Sequence, residues 1–311
     1  MENLLTVARQ VAILFVLIGC GAALRKTRLL AAESIEGLVN LLILVVTPCL
    51  IVDVFQRPFD SSMLIGLCLA AVIATVAHLA VILLACLLVH HPDEATCRPL
   101  RLAAVFSNAG FMGIPLEQAL LGDEGVFFGI VYVAVFNLFM WSWGICTIGA
   151  RSGSGVANLK MWVNPGTVGV AVGLPLFFCS VRLPSVVGVP VHQLANLNTP
   201  LAMVVVGYCL AGARLGRVVG VAAAYVAVFV RLVAYPLLVI AALYPFRAHL
   251  DRNMMLATVI AASAPVAAMV SMFAAKFGRD VDTSVAVVSG STILSIFTMP
   301  PVIALAMAIL R

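Results

Sequence analysis

Apolar runs of about 20 residues, each long enough to cross a hydrocarbon core, recur from end to end of this 311-residue chain. Charged residues make up 10% of it, against roughly 25% in a soluble domain. So few charges do not cover a water-facing surface, and the chain reads as an all-α integral membrane protein. The net charge of +5 is dispersed over short connections. It forms no basic patch that could track phosphates, which argues against a nucleic-acid partner. The eight cysteines are scattered, mostly within apolar runs and without a CxxC pair. They read as small packing residues, with no disulfide framework or metal site implied. Leu17-Ile18-Gly19-Cys20 resembles a lipoprotein cleavage box, but Glu2 and Arg9 precede it and many spans follow, so it reads as part of the first helix.

Hydropathy and helix breakers predict spans at 8–24, 33–55, 62–89, 100–120, 125–149, 163–180, 190–212, 217–244, 253–276 and 281–309. Inside the fourth lie Ser107-Asn108-Ala109-Gly110-Phe111-Met112-Gly113-Ile114-Pro115. A polar amide, two glycines and a proline interrupt a helix there. In lipid such a break survives only where protein or a wet cavity satisfies the freed backbone. The pattern predicts a discontinuous helix lining a solute path.

The chain also reads as two copies, 1–155 and 156–311, joined at the Arg151–Lys160 linker with its Ser152-Gly153-Ser154-Gly155 run. Thr47-Pro48 recurs as Thr199-Pro200, Arg98 as Arg252, and Gly122 as Gly278, in the same order and at a near-constant offset. Five spans per copy invert the second copy in the membrane. The cytoplasmic connections would hold Arg25, Lys26, Arg28, Arg98, Arg101, Arg151, Lys160, Arg214, Arg217, Lys276 and Arg279. Arg9, Arg57, Arg182, Arg247, Arg252 and Arg311 would lie outside, which puts both termini outside the cell's plasma (inner) membrane.

The segment Ser107–Leu116 (SNAGFMGIPL) resembles the hallmark of the auxin efflux carrier family, and the likeness extends to other stretches. Gly19, Gly21 and Arg25-Lys26, the second span from Asn40 to Ile51, and Asn164-Pro165 with Pro184 are similar to that family. So are Asn198 to Ala202 with Gly207, and Pro265 to Ala274 with Pro300. The resemblance implies ten transmembrane helices as two inverted five-helix repeats, with helices 4 and 9 discontinuous and crossed. It implies a homodimer through a scaffold part, and small organic anions as cargo: auxin in plants, malate or malonate in the bacterial members. The ninth span departs from the pattern. Its break offers Ser263, Pro265 and Ser271 but no asparagine matching Asn108.

The chemistry of the candidates follows from their types. A broken helix exposes N–H groups at the start of its second half, and these favour an anion. Asn108, with Ser107 beside it, would bind a carboxylate while Gly110, Gly113 and Pro115 open the helix; the alternative is a proline-kinked packing helix. Ser263, Pro265 and Ser271 are the matching candidates in the ninth span, set against ordinary small-residue packing. Asn137 either lines the path or packs. Thr47-Pro48, Thr199-Pro200 and Asn198 read as hinge or scaffold positions, as does Asn40. Arg231, inside the eighth span, could neutralise an anion, pair with Asp53, cap helix-end carbonyls or snorkel. His78 could relay a proton or simply pack. Glu117 lies at an outer mouth or at a half-helix N-terminus. Trp141, Trp143 and Trp162 read as interfacial anchors.

No phosphate loop, HExxH or G-x-S-x-G motif occurs, so neither enzyme nor cofactor is expected. The reading is a secondary transporter of a small organic anion by alternating access, with H+ or Na+ as coupling ion and the lipid bilayer as its surroundings. The competing reading is a membrane sensor or accessory subunit that binds a ligand without moving it.

Overall fold

The computed structural model describes residues 2–149, 165–212 and 220–310. The 151–160 linker, Trp162, Asn164, Arg214, Arg217 and Arg311 lie outside the described residues. Within them the chain is helical throughout: α1 Glu2–Lys26, α2 Ala32–Leu41, α3 Thr47–Val54, α4 Ser61–Leu88, α5 Glu94–Val105, α6 Ile114–Phe139, α7 Ile145–Gly149 and α8 Pro165–Phe178. There follow α9 Ser185–Ala195, α10 Asn198–Leu210, α11 Ala222–Phe229, α12 Tyr235–Leu243, α13 Arg252–Ser263, α14 Met269–Lys276 and α15 Val281–Ile309. Among the described residues, five stretches are long and apolar enough to cross a membrane: Glu33–Val54, Met63–Leu88, Ala109–Gly149, Ala222–Phe246 and Val281–Ile309. The protein is therefore a multi-pass membrane protein.

The outward faces fit a membrane setting. On α4, Ala70, Ala74, His78, Val81 and Ala85 form a buried stripe, while Val72, Val76, Leu79, Leu83 and Leu87 are exposed. Small residues inside and branched aliphatics outside are the pattern of a helix that packs on protein and faces lipid.

Several rods are continuous only because a wider turn absorbs a proline. Five-residue π turns at Leu42–Val46, Ala109–Gly113 and Val230–Ala234 each stop shortly before Pro48, Pro115 and Pro236. Proline lacks an N–H and its ring crowds the carbonyl four residues back. A π turn moves that carbonyl aside and lets the helix resume. Thr47-Pro48 therefore passes through a continuous rod, with the Thr47 hydroxyl donating to the Leu42 carbonyl at 2.9 Å. The expected mid-span kink at Thr199-Pro200 is displaced. The chain turns at Asn196–Leu197, and Pro200 sits in the first turn of α10. An amide is not needed there, so proline fits without distortion.

The long stretch 109–149 is folded back on itself. Gly122 takes φ 67° and ψ −156°, a backbone that only glycine adopts easily, and it divides α6 into two limbs. Gly278, between α14 and α15, also has a positive φ of 61°. The starts of α5 and α13 are matched as well: Asp93 accepts from the Ala95 amide and Asp251 from the Met254 amide. These are N-caps that anchor each first half-helix at a membrane face. The Ala95 amide, with the Thr96 hydroxyl, holds the Asp93 carboxyl below its ordinary range.

Two bodies of helices meet at the middle. In one, α1 lies along α10 backbone to backbone. A Cβ on Gly21 would run into the Val204 carbonyl and one on Gly207 into the Ile18 carbonyl. In the other, α4, α5 and α11–α15 share a large apolar core around Phe106, Met140, Tyr235 and Val259. Between them, Met112, Leu116, Ile260 and Ala264 pack against Val11, Leu14 and Ile18 of α1 and Ala202 and Met203 of α10.

Candidate functional site

Two helices are interrupted and their interruptions are bonded to each other. α5 ends at Val105, and the chain runs extended through Phe106–Asn108 before the π turn that leads into α6. α13 ends at Ser263, and α14 begins at Met269. Ser107 and Val266 pair as an antiparallel bridge. The Asn108 amide donates to the Pro265 carbonyl at 2.6 Å, and the Ala267 amide donates to the Phe106 carbonyl at 2.9 Å. The Val266 amide, which faces away from that bridge, donates to the Ser291 hydroxyl of α15 at 3.1 Å. Each extended strand thus satisfies the other, which is how irregular backbone survives inside a membrane.

The second half-helices keep their orphan donors. Among the described residues no acceptor meets the backbone N–H groups of Ala109, Gly110 and Phe111, or those of Ala268 and Met269. Nothing would touch a Cβ on Gly110, and Ala268 is exposed, so both amide clusters border open space. The Asn108 carbonyl accepts from the Met112 amide at 2.9 Å, but its side-chain amide makes no hydrogen bond among the described residues. The Ser107 hydroxyl is sealed and unpartnered. Free amides at two helix starts with an unpaired carboxamide beside them form a setting for an anion.

The first half-helices end on a cation. Arg231, fully buried in the π turn between α11 and α12, donates Nη1 to the Val105 carbonyl at 2.7 Å and Nη2 to the Ala262 carbonyl. One planar guanidinium therefore caps the partially negative C-terminal ends of both α5 and α13. Of the alternatives for Arg231, the helix-end carbonyls are its partners; Asp53 instead pairs with His192 at 2.9 Å. The Arg231 guanidinium also lies over the Tyr235 ring, 4.6 Å from its centroid. The Tyr235 hydroxyl bonds that of Tyr132 at 3.2 Å. His78 stacks 5.3 Å from Phe139 and 4.8 Å from Tyr132, with Nδ1 on the Ala74 carbonyl and Nε2 unpartnered.

The remaining candidates fall in different places. Pro115 is buried in the first turn of α6, and Gly113 lies against Ala261 of α13. Pro265 lends its carbonyl to the bridge. The Ser263 hydroxyl is buried on the Ile260 carbonyl, and that of Ser271 bonds the Ala268 carbonyl; both look back along their own chain. Asn137 donates to Val133 and lines a nearly apolar cavity of about 290 Å³ with Ala71, Val135, Trp141 and Thr167. Asn198 and Thr199 line a polar crevice of about 100 Å³ together with Asp53, His192, Gln118 and Asp123. Asn40 is exposed. Sequence reasoning missed Tyr132, Tyr235 and Ser291. Their only signal was a hydroxyl inside an apolar run.

This arrangement defines a class: a helical membrane protein whose paired helix breaks leave amide donors without protein acceptors. Residues 6–303 match the family described as membrane transport protein, the auxin efflux carrier family, and the chain belongs to it. It is thus a membrane transporter by family. A search of curated proteins returned no match.

Proposed function

We propose that this chain is a secondary active transporter of a small organic anion, working by alternating access about the two paired helix breaks. The carrying observation is polarity. Unpaired amides of Ala109–Phe111 and Ala268–Met269 and the free carboxamide of Asn108 gather at the starts of the second half-helices, while Arg231 caps the ends of the first. A carboxylate is drawn to the first set and needs no buried lysine. The capped starts at Asp93 and Asp251 and the positive-φ glycines 122 and 278 support two inverted five-helix repeats, 1–155 and 156–311. In this reading α1, α2–α3 and α8–α10 form the scaffold of a homodimer, and the helices carrying the breaks move against it. The setting is the plasma (inner) membrane of a bacterium, with both termini outside.

The test is flux in proteoliposomes. A panel of radiolabelled carboxylates is offered to wild type and to Asn108→Ala, with a thermal-shift screen of the same compounds in parallel. A carboxylate that stabilises and crosses with wild type, and does neither with Asn108→Ala, supports the reading. Binding without flux would make the protein a sensor, and wild-type flux in a folded Asn108→Ala protein would remove Asn108 from the site.

A further inference from the structure

Glu117 lies two residues beyond Pro115, in the first turn of α6, and is fully buried. Neither carboxyl oxygen has a hydrogen-bond partner. Its pocket is shaped for it. A Cβ on Gly129, on the far limb of α6, would overlap Oε2, and one on Gly113 would lie 3.7 Å from Oε1. Ala261 of α13 closes the side next to Gly113.

The charged and titratable groups on the packed elements are all engaged elsewhere or lie at the membrane faces. His78 of α4 is on Ala74 and Tyr132 of α6 on Tyr235. Asp123 is on Gln118, Glu124 on Asn253, and Asp53 of α3 on His192. Arg25 of α1 donates to the Tyr208 carbonyl, Tyr208 of α10 to Leu30, and Arg231 to its two carbonyls. Arg9 and Arg252 sit near the starts of α1 and α13, and both are exposed.

An ionised carboxylate in such a place pays a desolvation cost with no donor to offset it. A bound metal ion needs several oxygen ligands, and among the described residues no group of three or more His, Cys, Asp or Glu side chains gathers to hold one. The proton is the cation that fits.

We propose that Glu117 is the proton-carrying residue of this transporter. Its carboxylate takes a proton from hydronium, forming one O–H bond, and the resulting acid is what the closed pocket holds. When the first turn of α6 parts from the Gly125–Gly129 face, water reaches the acid and the proton leaves. The same half-helix already presents Ile114 and Gln118 to the polar crevice. Each anion then moves with one proton, and for a monocarboxylate, the probe used in the gradient test below, the pair crosses without net charge. This inference rests on the anion-transport reading and names its coupling ion.

Two measurements test it. The first needs no substrate: the infrared spectrum of the full chain in lipid at neutral pH. A C=O stretch from a carboxylic acid without hydrogen bonds is expected in wild type and lost in Glu117→Gln, with thermal unfolding of the variant confirming that it is folded. Absence of that band in wild type overturns the proposal. The second uses a monocarboxylate that crosses in the panel above, with an imposed gradient of one pH unit, acid outside. Wild type should concentrate the label about tenfold, the ratio one pH unit represents. Glu117→Gln should equilibrate it without concentrating it. Accumulation by Glu117→Gln to the wild-type level overturns the proposal. So does wild-type exchange that ignores the gradient, and that result leaves the anion reading standing. If no carboxylate crosses at all, the anion reading falls and the coupling role falls with it.

Discussion

The two interruptions are bonded as partners but are built from different materials. At the first, Asn108 ends an extended stretch, and a π turn that contains Gly110 and Gly113 leads into Pro115. At the second, Ala264, Val266 and Ala267 surround Pro265, every one of them buried, and a single hydroxyl from α15 secures the backbone. The first break carries a side-chain amide without a protein partner, whereas the second offers only backbone donors, the unpaired amides of Ala268 and Met269. The backbone leaves the helix at both places, while an unpartnered side-chain amide is present at one only. The two breaks are alike in where the backbone leaves the helix, not in which residues sit there.

The most severe way to break the comparison is to remove what the two sides share. Arg231→Ala leaves the Val105 and Ala262 carbonyls buried without a donor. We expect a loss of about 3–5 kcal/mol, the range seen when one partner of a buried charged contact is deleted. Thermal unfolding in detergent reads this directly. Arg231→Lys keeps the charge, but a single ammonium does not reproduce the planar fork that reaches both helix ends, so it should recover the stability only in part. Full recovery by lysine would show that charge alone, without the fork, suffices.

Next in size is the asymmetry itself. Asn108→Ala should weaken binding of a transported carboxylate about 10- to 100-fold, roughly 1.4–2.8 kcal/mol, because hydrogen bonds to charged groups are the stronger kind. Its unfolding temperature should stay near that of wild type, since the amide side chain has no partner in the protein. Isothermal titration of both proteins with the same carboxylate checks this. Equal affinities would return the first break to a purely structural role.

How much of this was legible beforehand depends on the kind of interaction. The first break was plain in Asn108-Ala109-Gly110 and Gly113-Ile114-Pro115, because those residue types oppose a helix by local chemistry. The second was legible through Pro265. The reversal at Gly122 could be read as a boundary but not as a positive-φ turn. The Arg231 clamp was one alternative among four, since hydropathy says that a buried cation needs partners without saying which. The Tyr132–Tyr235 pair and the Ser291 contact were invisible, because they join segments far apart in the sequence through single hydroxyls. Glu117 could not be placed either. Its burial depends on Gly129, on the returning limb of the same rod, and nothing in the sequence shows that the two limbs close on each other.

The smallest effects separate the three serines of the second half. Ser291→Ala removes the acceptor for the Val266 amide and leaves a buried N–H unpaired, which costs about 1–2 kcal/mol. Ser263→Ala and Ser271→Ala remove hydroxyls that only bond their own chain behind them. Each should change stability by less than about 0.5 kcal/mol and leave carboxylate affinity where it was. Unfolding curves and binding isotherms of the three variants, collected side by side, make the distinction. If Ser263→Ala lowered affinity as strongly as Asn108→Ala while Ser291→Ala did nothing, the side chains of the second break, and not only its backbone amides, would contact the ligand. The division between a break with a contacting side chain and one without would then be wrong.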